Sequence, residues 1–286
     1  MLAFGPWMVR LADVGPVASA FWRLALAAPL LLLLARPGLA GPARPTAALL
    51  GIVVLGGLFF AADLAAWHVG IRLTKLANAT LFGNSSSFLL VLYGFLLLRR
   101  LPERVQALAL LLAAIGSVLL LGSSYRLSPE HLTGDLFALL AGLFYTFSLI
   151  AIDRARRTMA PMPVLAIATA AGALPLLLFS LALGEPVLPG DWTPLILLSL
   201  GSQLIGQGLL VYAVGHLSPV VVGLGLLTQP AASAIIGWLA YREALSLVDL
   251  LGALLIAAAL VLIRLPERGK GQSLSRASMS VPGSDA

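Results

Sequence analysis

The chain has 286 residues, 60% of them hydrophobic and 10% charged, with a mean hydropathy of +1.01; this excludes an ordinary soluble globule and defines a polytopic helical membrane protein. It has no cysteine, which excludes disulfide staples, thiol catalysis and thiolate-bound metals. The net charge of +6 comes from arginines in short loops between apolar runs, where they set membrane orientation, so the partners expected are a lipid bilayer and a small solute, with no nucleic acid.

Residues 1–12 form a short apolar piece holding Trp7 and Arg10, without the basic start or the cleavage site of a signal peptide. Residues 144–153 align with residues 4–13, and ten further helical residues, 134–143, precede the second copy. The expectation is a truncated first helix with a start upstream of Met1; the alternative is a naturally short half-helix.

Residues 16–35, 47–69, 76–98 and 105–121 are predicted as helices 2 to 5, and 133–152, 162–183, 193–214, 220–241 and 247–263 as helices 6 to 10. At 1.5 Å per residue, about 20 apolar residues cross a hydrocarbon core of about 30 Å. Proline and glycine mark the breaks, as in Arg36-Pro37-Gly38, Gly184-Glu185-Pro186 and Pro189-Gly190. From about Pro266 the composition turns to serine, glycine and arginine, so residues 265–286 are expected to be a disordered cytoplasmic tail.

The stretch 226–263 is the most informative. Pro230 lies inside an apolar run, removes a backbone donor, frees the Leu226 carbonyl and kinks the helix. Thr228 and Gln229 stand just before it, so polar groups gather at a break that lipid tolerates only where it faces protein or a wet cavity. Pro175, inside predicted helix 7, is a second expected kink. A shift of 143 residues carries Gly94 onto Gly237, Arg100 onto Glu243 and Ser87 onto Pro230. That offset is half the chain, and it divides the sequence into repeats at 1–121 and 133–264.

With the N-terminus inside, twelve of the 18 Lys and Arg fall on the cytoplasmic side and five on the other, with Arg23 inside helix 2. The rule for positive charge then puts both termini in the cytoplasm. Five helices per repeat is an odd number, so the two copies insert with opposite orientation.

The spacing Pro230, Gly237, Glu243 and Gly252, after Thr228-Gln229, resembles the EamA domain of the drug/metabolite transporter superfamily. The first copy departs from that pattern, with Ser87 in place of the proline and Arg100 in place of the glutamate. The stretch Ala65-Ala66-Trp67-His68-Val69-Gly70, with Ala77-Asn78-Ala79-Thr80 and Asn84-Ser85-Ser86, is similar to the YddG-type exporters of aromatic and other neutral amino acids. The resemblance implies ten transmembrane helices in two inverted repeats. It also implies a monomer or weak homodimer, and a central cavity lined by helices 3, 4, 8 and 9.

Polar residues inside a membrane are costly and mark solute pathways. Asn84 and Ser85, read as mid-helix 4, are expected in the cavity with Ser87 on the same face; the plainer reading is helix contact or bonding to the preceding turn. Gln203 and Gln207 are four apart on helix 8 and share a face. Two amides suit the ammonium and carboxylate of a solute without a fixed charge; the plainer reading is an interhelical hydrogen bond. Trp67 and His68 close helix 3, where the ring suits an aromatic or neutral side chain or anchors at the interface. His68 has no second histidine at ligand spacing, so neither a metal nor any other cofactor is expected.

Asp63, four residues before Trp67, is the most embedded carboxylate and the candidate for proton coupling, unless it reaches water or Lys75. Tyr145 on helix 6 aligns with Gly5 and is expected along the pathway. Arg23, beside Trp22, is expected to anchor near the outer surface or to pair with Asp13.

The function expected is a secondary transporter exporting amino acids or similar small metabolites across a bacterial-type inner membrane by alternating access. The rival is a multidrug or quaternary-cation exporter, which wants a deep carboxylate in an aromatic cage. A nucleotide-sugar carrier wants several cavity cations for phosphates. An intramembrane enzyme is remote: Gly83-Asn84-Ser85 lacks the rest of a nucleophile elbow, and no H-E-x-x-H or phosphate-binding loop is present.

Overall fold

A computed structural model describes residues 5–39, 45–74, 82–99, 103–122, 132–229 and 247–264. The N-terminal half holds α1 (Gly5–Leu11), α2 (Pro16–Leu39), α3 (Ala47–Leu73), α4 (Ser85–Leu98) and α5 (Arg104–Gly122). The C-terminal half holds α6 (Leu132–Arg156), α7 (Pro161–Ala182), α8 (Thr193–Val214), α9 (Pro219–Leu226) and α10 (Leu247–Arg264). Among the described residues, five segments are long and apolar enough to cross a membrane: Pro16–Arg36, Ala47–Gly70, Leu132–Arg156, Pro161–Ala182 and Thr193–Val214. Pro230, Gly237, Glu243, Arg100 and the tail beyond Arg264 lie outside the described residues.

Helix ends follow local chemistry. Thr46 and Ser218 cap α3 and α9, their hydroxyls accepting the Leu49 and Val221 N–H groups. Pro161 and Pro219 open α7 and α9 at the first turn, where a missing N–H costs nothing. Gly184, just past α7, takes a left-handed φ of 67° and lets the Glu185 N–H return to the Ser180 carbonyl.

The two halves pack into each other rather than side by side. Small residues let the backbones meet. Gly56 faces Ala151 and Gly70 faces Gly134, so α3 and α6 run antiparallel. A Cβ on Gly57 would come within 2.2 Å of the Ala168 carbonyl oxygen, which leaves α3 and α7 in backbone contact. Gly116 of α5 meets Gly252 of α10, and Gly94 and Gly223 seat α4 against α9. In the pair α4–α9, helices of equal rank in the two halves run antiparallel, with Gly94 at Val220 and Ser87 at Gly223.

One loop locks the halves together. The Glu185 carboxylate accepts the Ala18 N–H at 2.8 Å, at the positive N-terminus of α2. Trp22 Nε1 donates to the Val187 carbonyl at 2.6 Å, and its ring meets Trp192 edge-on at 4.8 Å. Asp13 accepts the Gly190 and Asp191 N–H groups, so it is occupied by this loop and not by Arg23. Asp191 in turn accepts the Thr193 N–H, which holds its carboxyl below the usual carboxylate range.

Candidate functional site

The site centres on α8, which is not a uniform α-helix. Residues Leu198–Gln207, LSLGSQLIGQ, form a π-helix between two α-helical turns. The segment is rich in Gly and Ser, whose small side chains allow the wider turn, and such segments recur at functional sites. The widening keeps residues four apart near one line. Ser199, Gln203 and Gln207 are all buried along it, as is Ser202.

Gln203 and Gln207 line a cavity with Tyr145 and Ser148 of α6, Phe60 of α3 and Thr169 of α7. Its free volume is about 10 Å³, room for a single water. Gln203 Nε2 donates to Thr169 Oγ1 at 2.9 Å, and Gln207 Nε2 reaches the Tyr145 hydroxyl at 3.5 Å. Tyr145 lies 6.0 Å from Phe60 between ring centres. Among the described residues, the buried hydroxyls of Ser148, Ser199 and Ser202 meet no hydrogen-bond partner. A buried polar group without a partner is costly, and of the three only Ser148 lies on the cavity.

Arg23 joins this cluster, which corrects its expected place near the outer surface. It is 8% exposed, its Nε donates to Gln203 Oε1 at 3.1 Å, and its guanidinium lies 5.5 Å from the centre of the Phe60 ring. It acts electrostatically on Tyr145 and Asp63. Arg23 is not among the residues that line the cavity, whose walls carry no charged side chain among the described residues; it stands behind Gln203 and Phe60. A cation adjoins Gln203. The signal in the sequence was the position itself: an arginine eight residues into a 21-residue apolar run cannot reach either end cheaply.

Asp63 faces Arg23 and lies ten residues before the end of α3, further from that end than the sequence reading put it. Lys75 is outside the described residues.

The other expected residues lie elsewhere. Asn84 is the N-cap of α4, and a turn interrupts the helix there, so the polar run opens a helix instead of occupying its middle. Asn and Ser side chains compete for backbone hydrogen bonds, which favours such a break; Ser86 Oγ does so by donating to the Gly83 carbonyl. Ser85 packs on Gly142 of α6, and the Ser87 carbonyl packs on Gly223 of α9. Neither they nor Asn84 line the cavity around Gln203. Trp67 lies against Gly83 and tilts over the buried His68 at 5.2 Å, forming a second group beside the Asn84 turn. At the end of α9, Thr228 Oγ1 donates to the Gly225 carbonyl, and Gln229 is half-buried. Among the described residues, no cluster of three His, Cys, Asp or Glu could hold a metal ion.

Pro175 lines a different space, a groove of about 340 Å³ between α3, α6 and α7. Ala61, Ala65, Val69, Phe137 and Phe144 form its walls, and the exposed Leu58, Leu140 and Phe179 form its rim.

Long apolar helices enclosing a buried polar cluster drawn from both halves define a polytopic membrane protein with a polar site between its halves. The match to the EamA-like transporter family model spans residues 2–122 and again 132–265, and the chain belongs to that family as a membrane transporter built from two copies of its domain. An uncharacterized transporter of Archaeoglobus fulgidus is 26% identical over 221 residues, which is 77% of each chain. A solved structure, titled only as the crystal structure of a protein, shares the fold with a TM-score of 0.79 over 94% of each chain at 20% identity.

Proposed function

We propose that the chain is a secondary carrier that exports amino acids, aromatic and other neutral ones, or similar small metabolites by alternating access. The observation that carries this is the polar cluster of Arg23, Tyr145, Ser148, Gln203 and Gln207, which joins α2 to α6 and α8 across the two halves. Solute sites of carriers built from inverted repeats lie at that boundary. The same proposal includes ten spans in inverted repeats, both termini in the cytoplasm of a cell with a bacterial-type inner membrane, and a monomer or weak homodimer. Antiparallel packing of α4 on α9 supports the inversion.

A cavity of about 10 Å³ holds no solute, so the wall of α6, α7 and α8 must part to admit one. The π-helix of α8 and Pro175, which leaves α7 one backbone N–H short, are where that wall can give. Trp67, His68, Asn84, Ser85, Thr228 and Gln229 then line the path rather than the central point. Asp63 is the group proposed to carry the proton. The cation-exporter reading is disfavoured, because a guanidinium beside the cavity repels a lipophilic cation.

Uptake of labelled amino acids by liposomes carrying the purified protein, with and without a pH gradient, tests this reading. Saturable flux that falls in Gln203→Ala supports it. Flux of lipophilic cations alone would replace it, and an Asp63→Asn variant that keeps its pH dependence would remove Asp63 as the coupling group.

A further inference from the structure

A fixed positive charge stands behind the cavity wall, and its geometry says what that charge is for. Arg23 sits on α2 beside the buried apolar residues Ala20, Leu24 and Ala27, where an unpaired cation is costly. Two contacts hold its guanidinium still: the Nε hydrogen bond to Gln203, itself fixed on Thr169, and the face of Phe60. Both Gln203 and Phe60 line the cavity, so the guanidinium is anchored to its wall.

A guanidinium has five N–H donors in a planar fork matched to the two oxygens of a carboxylate. One is spent on Gln203; among the described residues the other four meet no acceptor, and Arg23 forms no ion pair. Asp63 acts on it through space without contact. On the same cavity the Ser148 hydroxyl is buried, 1% exposed, and without a partner among the described residues. A held cation with unspent donors lies behind the Gln203–Phe60 wall, and an orphan hydroxyl lies on the small space in front of it. Apolar Ile152, Leu165 and Val211 line the rest of it.

We propose that Arg23 is an anion anchor: when the wall that Gln203 and Phe60 form parts, its free N–H groups receive the carboxylate of a solute, Ser148 donates a further hydrogen bond, and the apolar wall receives the solute's body. The solute class is a small monocarboxylate with a hydrophobic side, zwitterionic or not. The anchor's role in transport rests on the carrier reading above.

The test is thermal melting of the full-length protein in detergent, because a ligand that binds the folded state raises Tm with its concentration. The probes are 3-phenylpropionate and isovalerate, their neutral amides, and phenethylamine, with sodium nitrate matching ionic strength. The expected result is that the carboxylates stabilise the wild type with apparent Kd values at least about tenfold below those of the amides. Arg23→Gln removes that preference, Arg23→Lys keeps part of it, and Ser148→Ala weakens it about two- to fivefold.

Equal shifts by carboxylates and amides, no shift by any carboxylate, or a preference that survives Arg23→Gln would overturn the anchor. If Arg23→Gln does not fold, wild-type carboxylate affinities in both Arg23→Lys and Ser148→Ala overturn it. Carboxylate-selective stabilisation in a protein that moves no solute through liposomes leaves the anchor and removes the carrier. Flux without carboxylate preference does the reverse.

Discussion

Two spaces flank α3, and they are built on opposite rules. Phe60 turns toward the polar cavity of about 10 Å³, while Ala61 and Ala65 turn toward the apolar groove of about 340 Å³. The groove is larger, yet nothing in its walls can orient a solute, and hydrocarbon tails fill such a space without loss. The cavity is small, yet it gathers two amides and an orphan hydroxyl, with a cation held behind its wall. Inside a membrane, unmet polar groups are the costlier feature, so they and not free volume mark the site.

Four measurements sharpen or break this contrast. The largest effect belongs to Arg23: Arg23→Gln should lower carboxylate flux into liposomes at least about tenfold, mostly through KM. Unchanged flux would make the cavity as inert as the groove. Next is the seam shared by both spaces. Gly57→Ala drives a methyl into the Ala168 carbonyl, whereas Gly51 has nothing within 4 Å of the same added atom. Gly57→Ala should cost about 1–3 kcal/mol in melting experiments, and Gly51→Ala should be neutral or gain up to about 1 kcal/mol.

A smaller effect is expected at Pro175, whose replacement by alanine restores an N–H to the α7 ladder on the groove side. Flux should slow by about two- to threefold while stability holds or rises; a tenfold loss would show that the groove takes part in transport. The smallest effect should come from Ala62→Leu, which fills the groove with apolar volume. Its Tm should stay within about 0.5 kcal/mol of the wild type in free-energy terms, and its flux should be unchanged. A loss of transport there would break the contrast from the other side.

The candidate site was partly legible before any coordinates. Gln203, Gln207 and Tyr145 stood out as polar residues in apolar runs, and all three line one cavity. Arg23 stood out equally, but the aromatic Trp22 beside it pointed to an interfacial anchor. In the fold Trp22 does bond a loop, through Val187, while Arg23 turns inward to Gln203. Neighbouring residues on a helix point about 100° apart, so one can face a loop while the next faces the core. Ser148 and Thr169 carried no signal, because a lone hydroxyl in an apolar helix is ordinarily absorbed by its own backbone.

By itself, then, the sequence determined the class of protein, most of the helical segments and the division into two similar halves, although the break expected at Arg36-Pro37-Gly38 is helical, α2 running on to Leu39. All of these follow from local hydropathy, chain length per span and turn chemistry, which need no partner segment. Only the tertiary structure decided that Asn84 opens a helix, that α8 widens into a π-helix and that Arg23 meets Gln203 across 180 residues. Those features depend on which helix packs on which, and apolar faces in lipid are too alike for sequence periodicity to tell them apart.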